Sequence, residues 1–332
     1  MKRIIASLFI VALAYNAAAQ AVRPDFLKAG DKVAILSPSY QMKSDAAITR
    51  ACEVLKEWGL QPVMGEHTNI ADRAGMGSER ADHYAGTDEQ KVSDMLAALR
   101  DPEIKAIICT RGGYGAMRLL DMIPSSEFSE HPKWIVGYSD ITAVHAATLK
   151  AGVMSVHGNM CGAIGRKAGP QQDDLILKDL LFGILPRYEI VADSLNTLGN
   201  ATGKLVGGNF ITFSVLCGSD YDMLAGDEDI ILFIEEVEES MHAIDRMFQT
   251  LRIHGALSHV KGIIFGDFTD CGNDLPYESV NEMMSYYTRE LGIPVAFGFP
   301  AGHDSVNLPL IEGATVSLDV RSDGVTISFE GN

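Results

Sequence analysis

Of the 332 residues only 27 are lysine or arginine, against 44 aspartate or glutamate, leaving a formal charge of −17. A nucleic-acid-binding face needs clustered cations to neutralise phosphates, so this shortage of basic charge argues against nucleic acid as a partner. Cysteine is scarce as well. Cys52, Cys109, Cys161, Cys217 and Cys271 are odd in number, widely spaced and free of any C-x-x-C, which argues against a disulfide framework. Cys109 and Cys217 close apolar runs, the setting of small buried core residues. The nine histidines show no H-E-x-x-H or comparable ligand spacing, so no metal site is expected. Neither G-K-[ST] nor G-x-G-x-x-G occurs, which weakens any nucleotide reading, and no cofactor is expected. Internal repeats and low-complexity tracts are missing too. What remains is the composition of a globular chain with a full core, 47% hydrophobic and 21% charged.

The first residues read as an export leader. Lys2 and Arg3 form a positive start, Ile4 to Ala14 an apolar stretch, and Ala17-Ala18-Ala19 a small-residue cleavage site before Gln20. The stretch is too short to span a bilayer, so no stable membrane anchor is expected and the destination is the periplasm.

After the leader, short apolar runs alternate with segments of helical period. Strands are expected at 32–37, 61–64, 106–110 and 134–138, with helices at 46–58, 87–99, 116–122 and 141–149 between them. This alternation implies βαβ units around a parallel sheet. From about 162 to 200 the pattern weakens, and 166–200 is taken as a linker between a first domain over 24–165 and a second over 201–332. The second set comprises strands at 203–206, 230–235, 260–265 and 295–299 and helices at 210–217, 243–253 and 280–291. It ends in a hairpin, 315–318 against 326–329, around Asp323-Gly324, a type I′ turn signal.

Four stretches could carry chemistry. Trp134-Ile135-Val136-Gly137-Tyr138-Ser139-Asp140 runs a buried strand into a tight turn and a helix. Such a turn lifts a serine hydroxyl above a sheet edge and aims the next backbone N–H groups at an incoming carbonyl. A helix cap by Ser139 or Asp140 explains the same pattern. Arg111-Gly112-Gly113-Tyr114-Gly115, again between strand and helix, suits an oxyanion loop, a phosphate loop or simply a tight turn. Ile230 to Ile234 is an apolar strand that ends in Glu235 and Glu236, where a carboxylate could orient a histidine, or where a solvated acidic loop begins. His303, in the Gly/Pro loop Phe299-Pro300-Ala301-Gly302-His303-Asp304, is better placed for proton transfer than His145 on a helix.

In order along nearly the whole mature chain, these motifs resemble the LD-carboxypeptidase family, serine peptidases of murein tetrapeptides related to the microcin-C immunity peptidases. The likeness extends through Arg118-Leu119-Leu120, Gly207-Gly208-Asn209, Ile244-Asp245-Arg246-Met247 and Gly262-Ile263-Ile264-Phe265-Gly266. It implies a Ser-His-Glu triad carried here by Ser139, His303 and Glu235, with Glu236 standing where an aspartate commonly follows the acid. It also implies an oxyanion hole from the backbone N–H groups of Gly113 and Asp140, a muropeptide substrate and a homodimer. A free substrate carboxylate calls for a cation, for which Arg111 and Arg118 are candidates; Tyr114 and Tyr138 are further candidate substrate contacts.

The expected fold is therefore α/β, a flavodoxin-like parallel-sheet domain followed by a mixed α/β domain with a terminal β-hairpin. The expected activity is release of the terminal D-Ala from stem tetrapeptides. Two other readings keep some of these features: a microcin-C immunity-like peptidase acting on amide or acyl-sulfamoyl conjugates, and a non-catalytic exported protein that binds muropeptides.

Overall fold

A computed structural model describes residues 21–70, 84–272 and 274–330; the leader over 1–19 lies outside the described residues. Strands β1 (Lys32–Leu36), β2 (Gln61–Met64), β3 (Ile104–Cys109), β4 (Trp134–Gly137) and β5 (Ser155–His157) pair in parallel. Their spatial order is β2-β1-β3-β4-β5, the flavodoxin-like arrangement, in which ligand sites form beyond the carboxyl ends of the strands. Helices α1 (Ala46–Glu57), α2 (Asp88–Arg100), α3 (Ser125–Glu130) and α4 (Thr142–Lys150) connect them. Every residue of β4 is buried, which is why it reads as a continuous apolar run rather than an alternating one. On α1, Ile48, Ala51 and Leu55 make the buried stripe that helical spacing requires. The segment expected as a helix over 116–122 is a single 3₁₀ turn, Ala116–Leu119, entered from Gly115 at φ +120°.

The weakly patterned stretch is not a bare connection. It holds α5 (Gln172–Leu181), whose Leu177, Leu180 and Leu181 are buried, and β6 (Arg187–Ile190), which pairs with the last strand of the chain. The second half continues with β7 (Gly199–Asn209), α6 (Phe210–Ser214), β8 (Ile230–Val237), α7 (Met241–His254), β9 (Val260–Thr269), α8 (Val280–Thr288), β10 (Val295–Ala296), β11 (Leu310–Glu312), β12 (Thr315–Arg321) and β13 (Gly324–Phe329). The order in the second sheet is β10-β9-β8-β7-β12-β13-β6. Its β7 to β10 part is parallel and the rest antiparallel, so the sheet is mixed. Arg321 pairs with Gly324, making Ser322-Asp323 the hairpin loop. Neither loop residue takes a positive φ, so the expected type I′ turn does not form; the glycine that could supply that geometry lies in the strand.

The two sheets are joined in two ways that matter for the site. Strand β11, from the second half, adds antiparallel to β5 at the edge of the first sheet. The segment 297–309 therefore crosses from one sheet to the other. At the other contact, the Asn209 N–H donates to the Thr142 hydroxyl at the start of α4, 3.1 Å away. Gly208 is demanded by this closeness, since a Cβ there would lie 2.6 Å from the Thr142 hydroxyl, while Gly207 is demanded within its own sheet, where a Cβ would lie 1.8 Å from the Phe233 carbonyl of β8. All five cysteines are free, with Cys109 and Cys161 buried. Among the described residues, no helix is long and apolar enough to cross a membrane.

Candidate active site

Beyond the carboxyl ends of β1, β3, β4 and β8 lies a cavity of about 490 Å³, within the range of small-molecule sites. Ser139 and His303 both line it, as do Arg111, Gly112, Gly113 and Tyr138. Ser139 lies two residues past the end of β4 and takes φ +65°. That left-handed conformation costs an L-residue about 1–2 kcal/mol, and it is the kind of strain that persists where a side chain must be presented rather than packed. The helix-cap alternative does not describe the geometry. Neither Ser139 nor Asp140 caps the 3₁₀ turn over 139–141 or α4 by its side chain. The buried Asp140 carboxylate instead accepts from the Ser39 hydroxyl at 2.5 Å and the Ala116 N–H at 2.8 Å, tying the β4 turn to the end of the glycine loop.

That loop is built for contact. A Cβ on Gly112 would stand 2.8 Å from the Ser139 Cβ, 3.0 Å from its Oγ and 3.3 Å from the Asp140 nitrogen. Gly113 takes φ +120°, and a Cβ there would meet the Tyr40 ring at 2.4 Å. Backbone polar groups thus come against the serine with no side chain between, the requirement for an oxyanion loop.

Glu235 and Glu236 are successive residues of β8, so their side chains point to opposite faces. Both are buried, and each has a different partner. Glu235 Oε2 lies 2.7 Å from His303 Nδ1. Glu236 accepts from Asn209 Nδ2, from the Ile211 N–H at the start of α6, and from its neighbour Val237 N–H. It fastens β7 and α6 to β8, and burial pushes its carboxyl up to about 7. Burial by itself would lower the His303 pKa, but the Glu235 carboxylate, with smaller help from Glu236 and Asp267, holds the imidazole above its ordinary value. With Nδ1 engaged by Glu235, Nε2 is the nitrogen left for the cavity. The Tyr138 ring lies edge-on to His303, centroids 5.0 Å apart, and tilted against His157 at 5.8 Å. His145, the rival base, is wholly buried; its Nε2 meets the Gly137 carbonyl, and burial lowers its pKa to about 4.

The other expected contacts divide. Arg111 lines the cavity, its Nε donating to the Gly112 carbonyl at 3.2 Å. Arg118 does not; it is ion-paired with Asp88, Nε to Oδ2 2.7 Å. Tyr114 is not in the cavity lining either. It stands 54% exposed and packs against Tyr40 and Tyr84. Trp134 is fully buried beside Phe26, so it offers no platform to a ligand. Tyr40, Met160 and Arg166 are among the lining residues that carried no sequence signal. Among the described residues, the Cys217, Asp222 and His254 group has ligand atoms within 4.8 Å of one another, but none of the three lines this cavity. Asp222 already accepts from the Gly218 and Leu224 N–H groups, as a turn-closing aspartate does.

Models of the LD-carboxypeptidase N-terminal and C-terminal domains match residues 33–158 and 202–318. The chain belongs to the LD-carboxypeptidase family. It is 33% identical to a putative carboxypeptidase of Synechocystis over 93% of this chain and 97% of that protein. A probable murein peptide carboxypeptidase of Bacillus subtilis is 29% identical over 92% of this chain and 94% of its own length. Among solved structures, the muramoyltetrapeptide carboxypeptidase from Oxalobacter formigenes superposes with a TM-score of 0.79 at 25% identity, covering 90% of this chain and 99% of that one. This LD-carboxypeptidase is accordingly a hydrolase of peptide bonds, and its two-sheet architecture is that of its solved relatives.

Proposed function

We propose that the protein is a serine LD-carboxypeptidase that releases the terminal D-Ala from peptidoglycan stem tetrapeptides. The observation that carries this reading is the 2.7 Å contact between the buried Glu235 carboxylate and Nδ1 of His303, which lines the cavity that also holds the strained Ser139. In this reading His303 Nε2 takes the Ser139 Oγ proton as Oγ attacks the carbonyl carbon of the scissile amide, and then gives that proton to the departing amine. Glu235 fixes the imidazole tautomer and stabilises the imidazolium. Water, deprotonated by the same imidazole, then cleaves the acyl-enzyme. The backbone N–H groups of Asp140 and Gly113 stabilise the tetrahedral oxyanion; loss of one such donor ordinarily costs about 3–4 kcal/mol of barrier.

The leader motif accords with an exported, unanchored protein of the periplasm, where murein and its fragments are found, and the family resemblance implies a homodimer. The test incubates mature protein and its Ser139→Ala form with tetrapeptide and pentapeptide muropeptides, read by mass. D-Ala should leave the tetrapeptide alone, and only with Ser139 present. Turnover that survives Ser139→Ala discards the triad, and binding without turnover in either form makes this a muropeptide-binding protein.

A further inference from the structure

Two arginines, Arg111 and Arg166, line the cavity of a chain with a large excess of acids. Arg100, Arg118, Arg187 and Arg321 each have a carboxylate within ion-pair distance. Arg111 and Arg166 have none among the described residues. Their hydrogen-bond acceptors are neutral carbonyls, Gly112 and Gln41 for Arg111 and Asp304 and Ser305 for Arg166, and the Arg111 guanidinium also lies 5.8 Å from the Tyr40 ring centroid. Asp174, whose charge Arg166 influences, is occupied by Asn159 Nδ2 and the Gly165 N–H. A guanidinium offers five donors in a planar fork that matches a carboxylate. Both groups therefore keep positive charge and donors for an anion in the cavity.

Their anchorage separates them. Arg111 precedes Gly112, which abuts Ser139 and the Asp140 nitrogen, so it belongs to the side where the acyl group and its oxyanion sit. Arg166 is fastened through Nη2 to the carbonyls of Asp304 and Ser305, directly after His303. If His303 protonates the leaving amine, the leaving amino acid lies on this side, and its carboxylate is only two bonds from that amine nitrogen.

Resting on the proposed carboxypeptidase reading, we infer that Arg166 is the subsite for the free C-terminal carboxylate of the leaving residue. This subsite makes the enzyme an exopeptidase, because an internal peptide bond or a C-terminal amide presents no anion there. Arg111 binds the acyl side and does not read the terminus.

The test compares kcat/KM for a tetrapeptide ending in D-Ala with that for the same peptide ending in D-alaninamide. Wild type should favour the acid at least 100-fold. In Arg166→Ala the acid-over-amide ratio should fall below about 5, and Arg166→Gln, which retains donors for the loop carbonyls, should lose the ratio equally. Arg166→Lys should restore part of it, and Arg111→Ala should lower both rates while keeping the ratio. An unchanged ratio in both Arg166→Ala and Arg166→Gln, even with both rates reduced, assigns Arg166 to holding the His303 loop and overturns the inference. No D-Ala release from the acid by wild type refutes the carboxypeptidase reading itself, a distinct result.

Discussion

Replacing Glu235 by glutamine changes one charge at nearly constant volume, in a position that is completely buried. The Oε2 to Nδ1 distance is 2.7 Å, which puts the centres of a carboxylate and an imidazolium about 4 Å apart. At an effective dielectric of about 20 that attraction is worth roughly 4 kcal/mol. It acts fully only when His303 is charged, as in the transition state, so kcat should fall on the order of 1,000-fold while KM changes little. Glu235 Oε1 has no hydrogen-bond partner, so the new amide leaves a buried donor unsatisfied in one orientation and turns it against Nδ1–H in the other. Some loss of stability, about 1–3 kcal/mol, should follow. The pH profile provides the sharper check. Glu235 holds the His303 pKa above its ordinary value, against burial, which pulls it down. A general base works only when deprotonated, so the acid limb of kcat/KM should lie above pH 6.5 in wild type and move below 6.5 in Glu235→Gln. A rate loss under tenfold, or a limb that stays put, would refute the assignment.

Other outcomes follow from the same geometry. Gly112→Ala places a Cβ 2.8 Å from that of Ser139 on a backbone without positive φ, a clash that forces the serine turn to shift; kcat/KM should drop at least 100-fold and the melting temperature should fall, compared by muropeptide assay and thermal scan. Ser139→Gly relieves the positive φ that Ser139→Ala keeps, so of these two inactive variants the glycine form should be more stable by about 1 kcal/mol in urea titration. Glu312 is completely buried, and the Gly207 amide only partly offsets the burial that pushes its carboxyl up to about 8. The folded state thus keeps a proton that an unfolded glutamate gives up near pH 4.5, and its contribution, complete below pH 4.5, is lost at about 1.4 kcal/mol per pH unit up to pH 8. Denaturant unfolding at pH 5, 6, 7 and 8 should show that slope diminished in Glu312→Gln; equal slopes would mean that Glu312 ionises normally.

Much of this was legible in the sequence because strands buried on both faces leave unbroken apolar runs. Trp134 to Gly137 and Ile230 to Ile234 announce themselves, and the residues after such runs are where α/β sheets place chemistry. Ser139, Glu235 and His303 were proposed by that rule together with the family motifs, and Ser139 and His303 line the same cavity. Periodicity could not choose between a presented serine and a helix cap, since both look like a polar residue before a helix; the backbone angle at Ser139 and the partners of Asp140 separate them. Nor could it separate Glu235 from Glu236, because only the pleat decides which neighbour faces His303. Arg166 was invisible for another reason: its place beside the cavity depends on long-range bonds to the carbonyls of Asp304 and Ser305, and a single basic residue in a polar stretch has no local signature. Strand β6 was lost because an edge strand with alternating burial, four residues long, resembles any polar loop.

In the proposed triad, the position of His303 makes the two sheets one catalytic unit. Ser139 lies in the turn after β4 of the first sheet and Glu235 is in a strand of the second, while His303 belongs to the segment that leaves β10 in the second sheet and enters β11 at the edge of the first. Asn307, four residues on, accepts from the Gly302 N–H at 3.0 Å and lies 3.2 Å from His157 Nε2 on β5, which pins the histidine loop to the serine's sheet. The imidazole is thereby held from both sides, by a carboxylate of one sheet and through its own backbone by the other. Separation of the sheets would therefore break the Ser139–His303 relation even with each sheet intact, so activity should be lost before β-sheet structure as denaturant rises. Asn307→Ala should widen that gap by freeing the Gly302 amide. Coincident loss of activity and circular dichroism in both proteins would show that the sheets part only when the whole fold does.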